Sequence, residues 1–367
     1  MTRMATTPTE ATTGEPAAGL AAERAPEPRA VLQAAGVASP EAIEAARLHD
    51  VSRSHALTFA ELPDGSAYVV KRLSSGARDA GRSLAAELYA YRLASWCPGL
   101  AAVLPTPVHL DERREVLALV AAPAEHLFPA QCLQPGFPSV DLATALGRAL
   151  ATLHTTTTDV ALLTVASCGV VALPDCPEED RRLGADSTAA VAVADDLLAD
   201  PLLVAGLKRA AAALRPTCLI HGDVKWDNAV LDPGPPARVR LLDWELSGRG
   251  DPGWDVGSAL ADTVSLTARL HGVAALPSDP VEWIDPTVRA LLAAYADRAG
   301  DASSAEFAAT VASSWTARMI HLALECAASV EASDHAAVRG VLAAARLLSD
   351  RHDDVAATVH GALAAAA

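Results

Sequence analysis

Aromatic residues are scarce in this chain, 4% of 367 residues, which leaves little ring area for the core. About half of the residues are nonetheless apolar, and much of that content is alanine. Such a composition favours many slender helices packed closely. The six cysteines (Cys97, Cys132, Cys168, Cys176, Cys218 and Cys326) are scattered, with no Cys-x-x-Cys pair. That spacing suggests neither a disulfide framework nor a zinc site, and Cys218, inside an apolar run, reads as a small buried hydrophobe. Positive charge is also in deficit. With 29 Lys and Arg against 45 Asp and Glu, the net charge is −16, so the whole-chain footprint expected for binding nucleic acid or an anionic membrane is absent. Long apolar runs are missing too: Val160 to Leu173 is too short to span a bilayer, and the first residues have no signal-peptide core. A reducing cytoplasm is the expectation. No internal repeat is visible.

What is present begins with a tail, residues 1–28, rich in Thr, Ala, Pro and Glu; it has too little hydrophobic periodicity to offset the entropy of ordering it. Helical patterns follow from Arg29 to Val37 and, opened by the capping pair Ser39-Pro40, on to Leu48. Two strand-like runs, Ala56 to Ala60 and Ala67 to Leu73, flank Pro63-Asp-Gly65, a strong hairpin signal. A helix is expected from Asp79 to Trp96, with Glu87 placed to reach Lys71. A second hairpin is bracketed by Val108–Leu110 and Val116–Val120 around a charged turn. The composition then shifts at Ala121-Ala-Pro123, dividing a β-rich lobe (29–122) from a helical lobe (123–367). Within the second lobe helices are expected over 139–155, 197–214, 256–270, 282–298, 306–329 and 336–360.

One stretch stands out from this helical background. Leu219-Ile-His-Gly-Asp-Val-Lys-Trp-Asp-Asn-Ala-Val-Leu231 places a polar loop between two apolar runs of strand length, and Leu241-Leu-Asp-Trp-Glu245 follows. Phosphoryl transfer asks the protein mainly for positioning and charge neutralisation. The chain offers a lysine for the nucleotide phosphates (Lys71, steadied by Glu87), an amide and a carboxylate as hard oxygen ligands for Mg²⁺ (Asn228, Asp243), and a carboxylate to receive the acceptor proton (Asp223). Bland readings stand beside these. Asp223 and Asn228 also suit a turn, Lys71 and Glu87 a surface ion pair, and Lys225 either the transferring phosphoryl or solvent. His221 reads as a structural hydrogen-bonding residue, and Trp226 and Trp254 as packing residues.

His221-Gly-Asp-Val-Lys-Trp-Asp-Asn228 with Leu242-Asp-Trp-Glu245 resembles the signature of the aminoglycoside phosphotransferase and choline-kinase-like family, a branch of the protein-kinase-like fold. In that family the loop reads His-Gly-Asp-x-x-x-x-Asn, and Asp-Trp/Phe-Glu stands where protein kinases have Asp-Phe-Gly. The resemblance covers about Val51 to Leu270. It implies an α+β, bilobal fold with a small antiparallel β-rich N-lobe and a large helical C-lobe. It further implies ATP and Mg²⁺ as cofactors, Asp223 as base, Asn228 and Asp243 as metal ligands, Lys71 with Glu87 on the nucleotide, and Asp255 of Gly250-Asp-Pro-Gly-Trp-Asp255 as the brace of the catalytic loop. No Gly-x-Gly-x-x-Gly precedes Lys71; Ser52-Arg-Ser-His55 occupies that place, so Ser52 and Ser54 become candidates for a turn over the phosphates.

The expected function is phosphorylation of a hydroxyl on a small molecule, aminoglycoside-like or another metabolite, as in antibiotic resistance or natural-product biosynthesis. Acidic stretches at Glu178-Glu-Asp180 and Asp195-Asp196 could face a cationic acceptor. Two alternatives remain open: a kinase acting on Ser/Thr of a ribosomally made precursor peptide beside a partner lyase, and a silent pseudokinase that only binds. Retention of Lys71, Asp223, Asn228 and Asp243 together argues against the last.

Overall fold

The computed structural model describes residues 26–52, 56–73, 84–158, 188–232, 234–271, 273–300, 304–329 and 335–365. The expectations for the N-terminal tail up to residue 25, for Ser54, for Val160 to Leu173 and for Glu178 to Asp180 therefore lie outside the described residues.

The N-terminal lobe is an antiparallel sheet of β1 (Arg47–Asp50), β2 (Ala56–Glu61), β3 (Ala67–Arg72), β4 (Pro107–Asp111) and β5 (Val116–Val120), in the order β1-β2-β3-β5-β4. Its turns follow from local chemistry. Gly65 takes φ 86° in the β2–β3 hairpin, where Asp64 Oδ1 accepts the Ser66 N–H at 2.9 Å. Asp111 Oδ1 likewise accepts the N–H groups of Arg113 (3.0 Å) and Arg114 (3.1 Å) in the β4–β5 turn. Alternation along the strands separates two faces. Val70, Val116 and Ala118 pack under α1 (Pro28–Ala35) and α2 (Pro40–Glu44) in a small core with Val31, Leu32 and Ile43. Lys71, paired in register with Leu57 and Leu117, turns to the opposite face.

On that opposite face lie α3 (Ala85–Ala94) and α4 (Pro98–Val103). Leu84, Leu88, Tyr91, Leu100, Leu117 and Leu119 there belong to the same continuous core as the helical lobe. The packing thus crosses the 122/123 composition shift without a break. In the large lobe, α6 (Val140–Thr157) packs along α10 (Pro286–Ala299), and α9 (Pro252–His271) along α11 (Ala305–Ser329). The short α5 (Phe128–Gln131), α7 (Thr188–Ala199), α8 (Pro201–Ala213), α12 (His335–Asp350) and α13 (His352–Ala364) complete it. Alanine and glycine let these helices approach closely: a Cβ at Gly147 of α6 would collide with the backbone carbonyl of Leu291 on α10.

Several expected elements are cut differently. The helix expected to reach Leu48 stops at Glu44, because Arg47–Asp50 pair as an edge strand with β2 (Arg47 opposite Glu61) and tertiary pairing overrides the local pattern. The helix expected over 197–214 is two, broken where Asp200 caps α8 by accepting the Leu202 N–H (2.9 Å) and Pro201 has no N–H to offer the preceding helix. The final helix is likewise two, divided at Arg351, and α10 begins only at Pro286, after the short turn Pro280–Trp283. Among the described residues no helix is long and apolar enough to cross a membrane. Cys218 is buried, and burial, with Asp255 nearby, pushes its thiol far above the ordinary range, as suits a packing residue.

The contact between α6 and α10 makes a direct test. Gly147→Ala should destabilise the fold by about 1–3 kcal/mol through overpacking against a backbone atom. Gly361→Ala, on α13 with nothing within 4 Å of the added methyl, should be neutral or stabilising by about 0.5–1 kcal/mol. Chemical denaturation of the two variants beside the wild type gives both values.

Candidate active site

The polar loop singled out in the sequence leaves the three-residue strand β6 (Cys218–Ile220), which pairs with β9 (Gly248–Gly250). It ends in the turn Trp226–Asn228, which feeds the hairpin of β7 (Ala229–Asp232) and β8 (Arg238–Leu241). The loop is held from beneath by the first turn of α9. The carboxylate of Asp255, fully buried, accepts the backbone N–H groups of His221 (2.7 Å) and Gly222 (2.9 Å). Its Oδ2 also lies 3.1 Å from His154 Nε2, whose other ring nitrogen is 3.0 Å from the Tyr295 hydroxyl. Trp254 Nε1 donates to the carbonyl of Gly222 at 3.0 Å, and Gly222 itself takes φ 85°. A side chain at residue 222 would strain that left-handed backbone.

His221 is a cross-brace. Its Nδ1 faces the N–H of Asp223 (3.3 Å), so the proton sits on Nε2, which donates to the carbonyl of Leu242 at 2.8 Å. The ring stands edge-on to Trp244, 4.8 Å between centroids. Trp226 is a packing residue. Its indole N–H meets Thr263 Oγ1 (3.1 Å) and its backbone N–H meets the buried Asp262 (2.8 Å).

On this frame the expected residues fall into two groups. Asn228 donates from Nδ2 to both the carbonyl and Oδ2 of Asp223, each at 3.0 Å. Its own backbone carbonyl accepts the N–H of Leu242 at 2.7 Å, which ties the loop to the residue before Asp243. Lys225 Nζ lies 2.6 Å from Asp223 Oδ2. Burial alone would raise the Asp223 carboxyl, but the Arg318 guanidinium and then the Lys225 ammonium outweigh it and hold the group below its ordinary range. The second group joins the lobes. Lys71 Nζ pairs with Glu87 Oε2 at 2.6 Å and with Asp243 Oδ1 at 2.5 Å. Burial would discharge the lysine, but the two carboxylates more than offset it and raise it well above its ordinary range. The Lys71–Glu87 pair is buried and not the exposed ion pair of the bland reading. Asp243 reaches it from a left-handed backbone, φ 61° and ψ 67°, a costly conformation for a residue other than glycine.

Ser52 lies at the β1–β2 connection. Its N–H binds Asp50 Oδ1 and its hydroxyl accepts the Leu57 N–H, both at 2.9 Å, so the side chain shapes the β1–β2 turn. Asp195 and Asp196 are exposed on α7.

The residue that the sequence reading missed is Arg318. Deeply buried on α11, it donates from Nη2 to Asp223 Oδ1 and from Nη1 to Glu325 Oε1, each at 2.6 Å. It is 95 residues from Asp223 in sequence. The available signal was one charge inside the apolar helical run Trp315-Thr-Ala-Arg-Met-Ile320, since a buried arginine needs a partner. One turn on, His321 packs against Trp254 (5.6 Å between centroids), and burial together with Arg318 pushes its pKa down to about 4. It is neutral at pH 7.

The donor set fits a hard divalent cation held partly by a nucleotide. Asn228 turns its NH₂ to Asp223, which leaves its amide oxygen free, and the Asp243 side chain is 38% exposed. Among the described residues no group of three or more His, Cys, Asp or Glu converges on a point. A dedicated all-protein cage is the usual arrangement for Zn²⁺ or Ca²⁺, and one or two oxygen ligands plus phosphates the usual one for Mg²⁺.

The brace under the loop can be broken alone. In Asp255→Asn one amide oxygen replaces two carboxylate acceptors, and the NH₂ group faces an N–H donor. The donor left without an acceptor should cost about 1–3 kcal/mol. The expected result is a lower denaturation midpoint; an unchanged midpoint would show that the two N–H bonds do not support the loop.

None of the curated proteins matches the chain. Among solved structures, an amicoumacin kinase in complex with AMP-PNP, Ca²⁺ and Ami superimposes with a TM-score of 0.54 at 15% identity, over 89% of this chain and 93% of that one. An ethanolamine kinase of Plasmodium vivax gives 0.53 at 9% identity, over 90% and 85%. A choline kinase of Cryptosporidium parvum gives 0.51 at 11% identity, over 87% and 92%. At identities this low the superpositions establish the shared protein-kinase-like fold and nothing finer. The model of the APH phosphotransferase enzyme family matches residues 47–275, from the edge strand β1 to just past α9. That match takes in more than half of the chain and both halves of the site, so the protein belongs to this family and is a phosphotransferase.

Proposed function

We propose that the chain is a Mg²⁺- and ATP-dependent kinase that moves the γ-phosphate to a hydroxyl of a small molecule. The observation that carries this reading is the convergence of Lys71, Glu87 and Asp243 across the lobe boundary, beside a loop in which Asn228 and Lys225 both contact Asp223. The names of the structural neighbours support a small-molecule acceptor, since amicoumacin, ethanolamine and choline kinases share the fold.

In this reading Lys71, kept charged by Glu87, binds the nucleotide phosphates. Asn228 and Asp243 would hold Mg²⁺, which supplies neutralisation of the phosphate charge. Asp223 orients the acceptor hydroxyl and takes its proton as the bond from the γ-phosphorus to the ADP oxygen breaks and the bond to the acceptor oxygen forms. A carboxylate held below its ordinary range is a weak base but is ionised throughout the neutral range. That suffices for a loose transition state in which proton removal is late. Lys225 lies where it can meet the charge on the transferring group. Arg318 fixes the other oxygen of Asp223, so the carboxylate plane is set by two cations and an amide.

Incubation of the protein with Mg-ATP and a mixed pool of amine- and sugar-bearing alcohols, read by mass spectrometry, should show one acceptor gaining one phosphate. Asp223→Asn should lower that rate by about 10²–10⁴-fold while Mg-ATP still raises the melting temperature. Asp243→Asn should lose the Mg-ATP stabilisation. Stabilisation by Mg-ATP with no transfer to any acceptor, and no difference between wild type and Asp223→Asn, would sink the proposal. Arg318→Met should lower kcat and leave KM for ATP nearly unchanged, and Arg318→Lys should recover part of the loss. A variant in which only KM for ATP rises would contradict the placement of Arg318 on Asp223.

A further inference from the structure

Strand β8 alternates two exposed arginines, Arg238 and Arg240, with the buried Val239 and Leu241, so both guanidinium groups leave the same face. With α4, α6 and the last turn of α10, β8 lines an open cavity of about 400 Å³, to which Arg238 and Arg240 both contribute. Arg148 and Thr152 of α6 and Arg298 of α10 also line it, and Arg298 Nη1 donates to Thr152 Oγ1 at 3.2 Å. The lining includes none of Lys71, Asp223, Asn228 or Asp243.

The lining of this cavity is cationic. In a chain of net charge −16, its lining carries four arginines and no carboxylate. Among the described residues Arg148, Arg238, Arg240 and Arg298 pair with no acidic side chain. Like charges gathered in one concavity repel one another, and the surplus of carboxylates elsewhere makes partners easy to supply. Four guanidinium groups with no carboxylate in the lining favour an anion there. Guanidinium forks match phosphate oxygens two at a time, and the volume lies within the range of small-ligand sites.

We propose that this cavity binds a small, multiply charged phosphate-bearing anion at a site separate from the catalytic cleft. The pairing rule of the sheet supplies two of its cations from one strand and the helical lobe supplies the other two. Because Leu242 and Asp243 directly continue β8, the site shares a strand with the candidate metal ligand. This assignment does not depend on the reaction proposed above.

Isothermal titration with inorganic pyrophosphate, without Mg²⁺ and at near-physiological salt, tests it on the full chain. Wild type and Lys71→Ala should bind alike, because Lys71→Ala disables only the catalytic cleft. Arg238→Ser/Arg240→Ser should weaken binding by at least about tenfold, as loss of two charge-assisted contacts predicts. Arg148→Ser/Arg298→Ser should do the same from the opposite wall, and either pair suffices if the other fails to fold. The proposal is overturned if Lys71→Ala abolishes binding while the arginine pairs keep it, or if sulfate at equal ionic strength gives the same isotherm.

Discussion

The carboxylate of Asp255 accepts the N–H groups of His221 and Gly222 from inside the protein, where water cannot compete, and the rest of the site is hung on that contact. A loop that must present Asp223, Lys225 and Asn228 toward a cleft cannot satisfy its backbone donors by strand pairing alone, because β6 ends at Ile220. A buried carboxylate at the start of a helix solves this. It meets two donors at once, and the positive end of α9 helps to hold the charge. His154 and Tyr295 extend the brace from α6 into α10, so this packed pair of helices also positions the loop.

The second constraint is that the site is shared between lobes. Lys71 comes from a strand whose other face belongs to the small core under α1, whereas Asp243 comes from the end of β8 in the large lobe. Glu87 holds the lysine between them. With α3 and α4 inside the large core, the sheet is not a free body but leans on helices continuous with the lobe opposite. The cost of holding Asp243 at φ 61° is met by the contacts around it: the indole of Trp244 donating to the Leu241 carbonyl (2.8 Å) and the His221 bond to Leu242.

Much of this was legible residue by residue. Pro63-Asp-Gly65 announced a hairpin because only such residues suit its turn. The loop from His221 to Asn228 announced chemistry because so dense a polar run between two apolar strands has few structural uses. What was not legible had a common cause. Arg47–Asp50 carry no strand alternation of their own and became β1 only by pairing with β2. Arg318 looks like any charge on a long helix until α11 is rotated so that it meets Asp223.

The sequence by itself determined the class of most elements and the phosphotransferase family, because those depend on local periodicity, turn chemistry and a short motif whose members are neighbours in the chain. Only the tertiary structure decided which charges meet. Glu87 and Asp243 share one ammonium, Arg318 holds the second oxygen of Asp223, and four arginines from β8, α6 and α10 line one cavity with no acidic partner among the described residues. Coulomb energy depends on distance through space, and distances between residues far apart in the chain are set by how helices and sheet pack.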